Sequence, residues 1–229
     1  MFLHVRLKGL VEKANDYAHG SRELIEFLVR EIKPRSILVP TYTYSFTKTG
    51  LFHRVYSRSE VGRFSEEMRR AYGHTRTPEP IFSVVEPVGQ YLSQLSNLSH
   101  LEAFGRQSIF SSLERDNAIA LNINLTKFIS THLHYLERQN RVPYRFDKTF
   151  QGVVYHDQAQ HQVVNYKYYV RNLVEDPQWD RQRIASDLEQ AGVLRVIRDE
   201  EMELNWLPAQ DMREFIDRRL AENPLYLLR

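Results

Sequence analysis

Cysteine is absent from this chain, which removes disulfides, thiolate nucleophiles and cysteine-based metal sites at once. Long apolar runs are also missing. None approaches the roughly 20 residues that a membrane-crossing helix needs, and the opening residues Met1–Arg6 lack the apolar stretch of a signal peptide. A cytoplasmic protein that contacts no membrane is the expectation, and the lack of cysteine is compatible with it. Charge is nearly balanced. The 31 Lys and Arg residues against 29 Asp and Glu leave a net +2, and without a dense basic tract no nucleic-acid partner is expected. The nine histidines show no His-Glu-x-x-His arrangement, so no metal is expected. Repeats, low-complexity tracts and a convincing linker are missing too, so residues 1–229 read as one domain.

The elements present alternate. Phe2–Val5 reads as a short buried strand. Leu24, Ile25, Leu28, Val29 and Ile32 recur at helical spacing behind Gly20-Ser21, with Ser21 as the N-cap. Lys33-Pro34 ends that helix, and Ile37–Val39 is a compact apolar strand. This strand–helix–strand succession argues for an α/β layer arrangement. Ser59 caps a second helix with Val61, Phe64, Met68 and Tyr72 inward. Pro78, Pro80 and Pro87 mark a loop-rich stretch, and Ile119–Ile123 is another strand. After a helix at 131–141 the pattern changes. Gly152–Tyr155 and Val163–Val170 read as strands joined by a turn at Asp157-Gln158. Asp180–Gln190 is helical. Val193–Ile197 and Met202–Leu207 form a hairpin around residues 198–201, and Ala209–Glu222 is a last helix. The switch near 146 suggests a C-terminal α+β subdomain over 145–229.

Residues 130–145 carry the densest chemistry. His134, Glu137, Arg138 and Arg141 sit at i, i+3, i+4 and i+7 and so share a helical face, which Pro143 then stops. Thr131 as N-cap puts His134 in the first turn, where the helix dipole disfavours an imidazolium. A neutral imidazole held by Glu137 is suited to general-base work. Spacing alone favours the plainer reading, a histidine packed beside a surface Glu–Arg network. His132 points some 200° away around the helix and reads as structural. Gly20-Ser21 at a helix start offers backbone N–H groups to a pyrophosphate, or is a plain cap. Thr41–Phe46 follows an apolar strand whose end can line a site, although aromatic–threonine alternation is also ordinary strand composition.

Taken together, Leu38–Phe46, Arg76–Ser83, Phe104–Phe110 and the Thr-x-x-His-Tyr-x-Glu pattern at Thr131, His134, Tyr135 and Glu137 resemble the aminoglycoside 3-N-acetyltransferase family. The resemblance runs from about residue 2 to 228. It implies an antibiotic N-acetyltransferase-like fold, with a mixed central sheet, flanking helices and a C-terminal α+β portion. It also implies transfer of an acetyl or related acyl group from acyl-CoA to an amine of an amino sugar.

By the same resemblance His134 is the base, oriented by Glu137 or Glu79. His4, Arg6, Gly20, Ser21, Thr41, Phe104, Gly105, Ser108 and Thr131 lie toward coenzyme A, and Tyr42, Tyr44, His53, Glu79 and Arg138 toward the acceptor. The chain departs from the family in four places. His4-Val5-Arg6 stands for His-Ser-Ser, His53 for an aspartate, Glu79-Pro80 for His-Pro, and Asn122-Ile123-Asn124 for Gly-Val-Gly. Glu79 suggests a branch acting in sugar or surface-polysaccharide biosynthesis. Antibiotic resistance and a non-catalytic sugar- or CoA-binding relative are the alternatives, and a homodimer is left open.

Overall fold

A computed structural model describes residues 1–10, 16–96, 98–125, 128–157, 159–200 and 202–229. The expected turn at Gln158, the hairpin tip at residue 201 and part of the loop before Thr131 lie outside them. The order is β1 (Phe2–Val5), α1 (Tyr17–Glu31), β2 (Ile37–Pro40), α2 (Phe46–Thr49), β3 (Leu51–His53), α3 (Arg63–Tyr72), β4 (Val84–Val88), α4 (Tyr91–Gln94), α5 (Ile109–Arg115) and β5 (Ile119–Ile123). There follow α6 (His132–Gln139), β6 (Arg145–Tyr155), β7 (His161–Arg171), α7 (Arg181–Gln190), β8 (Arg195–Arg198), β9 (Glu203–Pro208) and α8 (Ala209–Glu222).

Six strands form a mixed central sheet in the order β4-β2-β1-β5-β9-β8. β1 runs parallel to β2 and β5, while β4, β9 and β8 join antiparallel. A second sheet, β3-β6-β7, is pinned by the long β6–β7 hairpin. Residues 145–229 therefore do not stand apart, because they supply strands to both sheets.

One buried cluster gathers α5, α6, α7 and α8 with β7. The other places Ile25 and Leu28 of α1 and Phe64 and Met68 of α3 on Leu3, Val39 and Leu121. Beside α1 an apolar groove of about 1620 Å³ remains open over Leu7, Leu24, Ile123, Leu204 and Trp206.

Several local expectations change. α1 begins at Tyr17, so Gly20 and Ser21 lie inside it. The Gly20 N–H is already bonded to the Asp16 carbonyl at 3.0 Å, and Ser21 is fully buried. The Gly-Ser pair therefore offers no helix N-terminus to a phosphate. Val29 and Ile32 face outward, 40% and 53% exposed.

Ser59 does not cap α3. That helix starts behind Gly62 at φ +118°, a conformation glycine alone adopts without strain, and Glu66 reaches back to the Ser59 N–H at 2.9 Å. β4 replaces part of the proline-marked loop. It lies at the sheet edge, where the missing N–H of Pro87 costs no ladder bond. Gly152 is required by close approach, since a Cβ there would sit 2.4 Å from Phe46 and 2.5 Å from the Gly50 carbonyl. That contact seats α2 on β6, behind the Thr41–Phe46 segment.

Candidate active site

α6 carries the centre of the site. Leu133 and Leu136 are core residues that bury one face of the helix, each such side chain contributing about 1.5–3 kcal/mol. This anchors the Glu137 and His134 side chains above the core. The helix ends at Gln139, and Arg141 lies past it at φ +50°. The expected shared face therefore holds for His134, Glu137 and Arg138 but not for Arg141. Thr131 stands at the N-cap position without capping through its side chain. Its Oγ1 instead accepts the Tyr42 hydroxyl at 2.9 Å.

His134 Nδ1 lies 2.8 Å from Glu137 Oε2. Glu137 is fully buried, and its carboxylate has two further partners. Arg145 Nε is 2.7 Å from Oε2, and Trp179 Nε1 donates to Oε1 at 2.7 Å. Burial works against ionisation of Glu137, but the His134 contact, Arg145 and Trp179 more than offset it and hold the group below the usual carboxylate range. An ionised carboxylate only accepts, so the His134 proton resides on Nδ1 and Nε2 keeps its lone pair.

Burial lowers the His134 pKa, the Glu137 bond opposes this, and Arg145 and Arg181 add to the lowering. The lowering runs in the direction expected from the sequence, and burial is its largest cause. The ring is one-quarter exposed and stands against Trp179 at 4.4 Å, Phe104 at 5.8 Å and Phe82 at 6.2 Å.

Phe82 separates this centre from a second buried carboxylate. Its ring also contacts Tyr42 at 5.2 Å and Tyr168 at 6.0 Å. Behind it Glu79 accepts the Ile81 N–H at 3.0 Å, the Phe82 N–H and the Tyr168 hydroxyl. Burial pushes the Glu79 pKa up to about 7, against the pull of those donors. Glu79 is thus neither a solvated loop residue nor the orienter of His134. Its oxygens are satisfied by its own loop and by β7.

Arg76 underlies the same loop. Fully buried and with no carboxylate partner among the described residues, it donates to the Ser57 carbonyl at 2.6 Å, Thr43 Oγ1 at 2.9 Å, Thr41 Oγ1 at 3.1 Å and Ser83 Oγ at 3.1 Å. It also lies 4.7 Å over the Phe52 ring. Burial lowers its pKa to about 9.

Other residues assigned to the donor are largely committed elsewhere. Thr41 is held by Arg76. Ser108 caps α5 by accepting the Ser111 N–H at 3.2 Å. The His4 ring packs on Phe2 at 5.3 Å, burial lowers its pKa to about 4, and its Nε2 has no hydrogen-bond partner. Ser21 Oγ is likewise buried without one. Arg6 follows β1, its N–H bonded to the Ile123 carbonyl. Phe104 does reach the centre, through its ring contact with His134 at 5.8 Å, and Gly105 follows it on the wall of a neighbouring pocket.

Of the acceptor residues, Tyr42 adjoins Thr131, and Tyr44 is 44% exposed beside it with a pKa raised by burial to about 12. His53 turns away. Its Nδ1 accepts the Val55 and Tyr56 N–H groups at 3.2 Å, and its ring contacts Tyr56 and Tyr155. Arg138 forms a two-pronged pair with Asp147 at 2.9 and 3.0 Å. His132 is structural, buried 3.3 Å from Glu114. Sequence reading missed Trp179 and the burial of Arg145, Phe82 and Arg76. Only the Arg76–Ser83 stretch hinted at Arg76 and Phe82, and nothing along the chain links Trp179 to Glu137.

Among the described residues no group of three or more His, Asp or Glu side chains is arranged to hold a metal ion, and no helix is long and apolar enough to cross a membrane. The search of curated proteins finds no significant match. Solved structures do match. The aminoglycoside acetyltransferase AAC(3)-Xa superposes with a TM-score of 0.74 at 18% identity, over 96% of this chain and 86% of that one. AAC-IIIb, in a binary complex with CoASH, gives 0.74 at 15%, over 96% and 89%. The YokD protein from Bacillus subtilis gives 0.72 at 15%, over 97% and 91%. At these identities the likeness shows the fold, which is the mixed α/β architecture expected. The family profile described as aminoglycoside 3-N-acetyltransferase matches residues 11–221, and the chain belongs to that family.

Proposed function

We propose that the protein transfers an acetyl or related acyl group from acyl-CoA to the amine of an amino sugar, with His134 as the general base. The observation that carries this reading is the His134–Glu137 pair at 2.8 Å, with Trp179 and Arg145 fixing the carboxylate. An alkylammonium cannot attack a carbonyl. A neutral imidazole whose Nε2 lone pair is free takes the proton from the incoming nitrogen as the new C–N bond forms and the thiolate leaves. Glu137 stabilises the resulting imidazolium, as a buried carboxylate beside it must.

Phe82, Phe104 and Trp179 limit water around the ring, which strengthens that electrostatic support. Acyl-CoA would supply the activated carbonyl. Phe104 and Thr131 are assigned donor residues in contact with His134. The Thr131 hydroxyl, while accepting from Tyr42, retains its own proton to donate. Tyr42 and Tyr44 line the acceptor side, and a soluble, cytoplasmic setting goes with such substrates.

A second reading, a non-catalytic sugar- or CoA-binding relative, draws support from Thr41 and Ser108 being committed to Arg76 and to the α5 cap. Incubation with acetyl-CoA and a panel of amino sugars, with thiol release as readout, separates the two. Turnover that falls about 10²–10⁴-fold in His134→Ala supports the transferase. No turnover with any amine, despite tight CoA binding, supports the alternative. Full turnover in the variant removes His134 as the base.

A further inference from the structure

Next to the His134 centre lies a polar pocket of about 560 Å³ that includes Phe104, Gly105, Arg106, Arg138, Gln139 and Arg141. We propose that it holds an organic diphosphate. The inference rests on the acyl-transfer reading for which molecule brings that group, and on the pocket itself for the chemistry.

The pocket shares structure with the reacting centre. Phe104 is part of its wall and its ring lies 5.8 Å from the His134 ring. Arg138 is four residues beyond His134 on α6, about 6 Å along the helix axis. A ligand seated there lies beside the His134 centre, with Phe104 common to both.

The charge balance is positive. Arg138 is paired with Asp147 and lies 3.6 Å from Glu102, while Lys167 holds Glu102 at 2.6 Å. The guanidinium groups of Arg106 and Arg141 make no hydrogen bond or ion pair among the described residues, while the Arg141 N–H is bonded to the Arg138 carbonyl at 3.3 Å. Four cations against two acids leave a surplus of two. A diphosphate diester carries about two negative charges, whereas a polyamine sugar would be repelled. Guanidinium groups present planar, two-pronged donors matched to phosphate oxygens.

Arg141 is held in the left-handed region at φ +50° immediately after the end of α6. That is a common conformation for the residue that closes a helix, and the turn is completed by the Val142 N–H on the Glu137 carbonyl at 3.2 Å. Here that backbone turn brings a third guanidinium to the pocket. The volume falls within the usual range for small-molecule sites and exceeds what inorganic phosphate fills, so the ligand carries an organic part. Two sources supply it: the diphosphate of coenzyme A, or that of a nucleotide-activated amino sugar.

Calorimetric titration of the intact protein with coenzyme A and, separately, with UDP tests this in wild type and in an Arg106→Ala/Arg141→Ala double variant. Both side chains are exposed, and unchanged circular dichroism and melting check that the variant folds. Affinity for coenzyme A falling about 10–100-fold, with less dependence on salt, assigns the pocket to the donor. The same fall for UDP alone assigns it to the acceptor, and a fall for both shows a site that accepts either. An Arg106→Lys/Arg141→Lys variant should recover part of the loss, because charge without the guanidinium fork is a weaker match.

Unchanged affinity for both ligands in the double variant overturns the proposal. Arginine-dependent binding without thiol release would keep the pocket and sink the transferase. Thiol release with unaltered KM values in the double variant would do the reverse.

Discussion

Glu137 and Glu79 are both buried carboxylates on either side of the Phe82 ring, yet the fold treats them oppositely. Glu137 has a guanidinium, an indole N–H and an imidazole around it and is held ionised. Glu79 has two backbone N–H groups and a tyrosine hydroxyl but no ion pair among the described residues, Arg76 acting on it only from a distance, and its pKa rises to about 7. Neutral hydrogen bonds alone do not repay the desolvation of a carboxylate, whereas a cation in contact does. The ionised member fixes a proton acceptor, and the other holds a loop.

Loss of the ionised carboxylate should cost the most. Glu137→Ala leaves Arg145 buried without its counter-ion, and urea unfolding should show a loss of about 3–5 kcal/mol. A loss under 1 kcal/mol would mean that the pair is solvated. Glu79 gives the next effect, with a definite sign. Its pKa lies near 7 folded against an ordinary 4.5, so between these values the folded chain binds the extra proton. Stability is then full below pH 4.5 and declines by about 3 kcal/mol as pH rises to 7. In Glu79→Gln that decline should vanish from a pH series of melting curves. An unchanged slope would assign it to other groups.

Arg145→Leu sharpens the contrast by making Glu137 more like Glu79. It removes one of the cations that lower the His134 pKa, so the acid limb of the pH–rate profile should move upward. A downward move would contradict the assigned electrostatics. Smallest is Thr131→Val, which leaves the buried Tyr42 hydroxyl without its acceptor and should cost about 1–2 kcal/mol in thermal or urea unfolding.

The charged centre was the more legible of the two regions. His134, Glu137 and Arg138 follow helical spacing, and the Leu133–Leu136 face that fixes them is local. The buried strands Phe2–Val5 and Ile119–Ile123 were legible for the same reason, as compact apolar runs. Glu79 was not. Two prolines flank it and read as exposed loop, while its burial depends on Tyr166 and Tyr168 from a strand some 88 residues away. Arg76 was invisible as a core residue because its partners are carbonyls and hydroxyls from three segments. Gly20-Ser21 misled in the opposite sense. The pair has the composition of a cap, yet α1 starts four residues earlier and consumes the N–H groups. Trp179 completes the Glu137 shell from the loop before α7, a contact that no local pattern encodes.

The account depends most on a neutral imidazole at position 134 receiving the proton of the attacking amine. The pH profile of kcat/KM for thiol release, in wild type and in His134→Ala, tests it most directly. The wild-type acid limb should lie below pH 6.5, the ordinary histidine value, since burial lowers the His134 pKa. The variant should lose that limb together with about 10²–10⁴ in rate. An acid limb that persists unchanged in His134→Ala, at comparable rate, would contradict it.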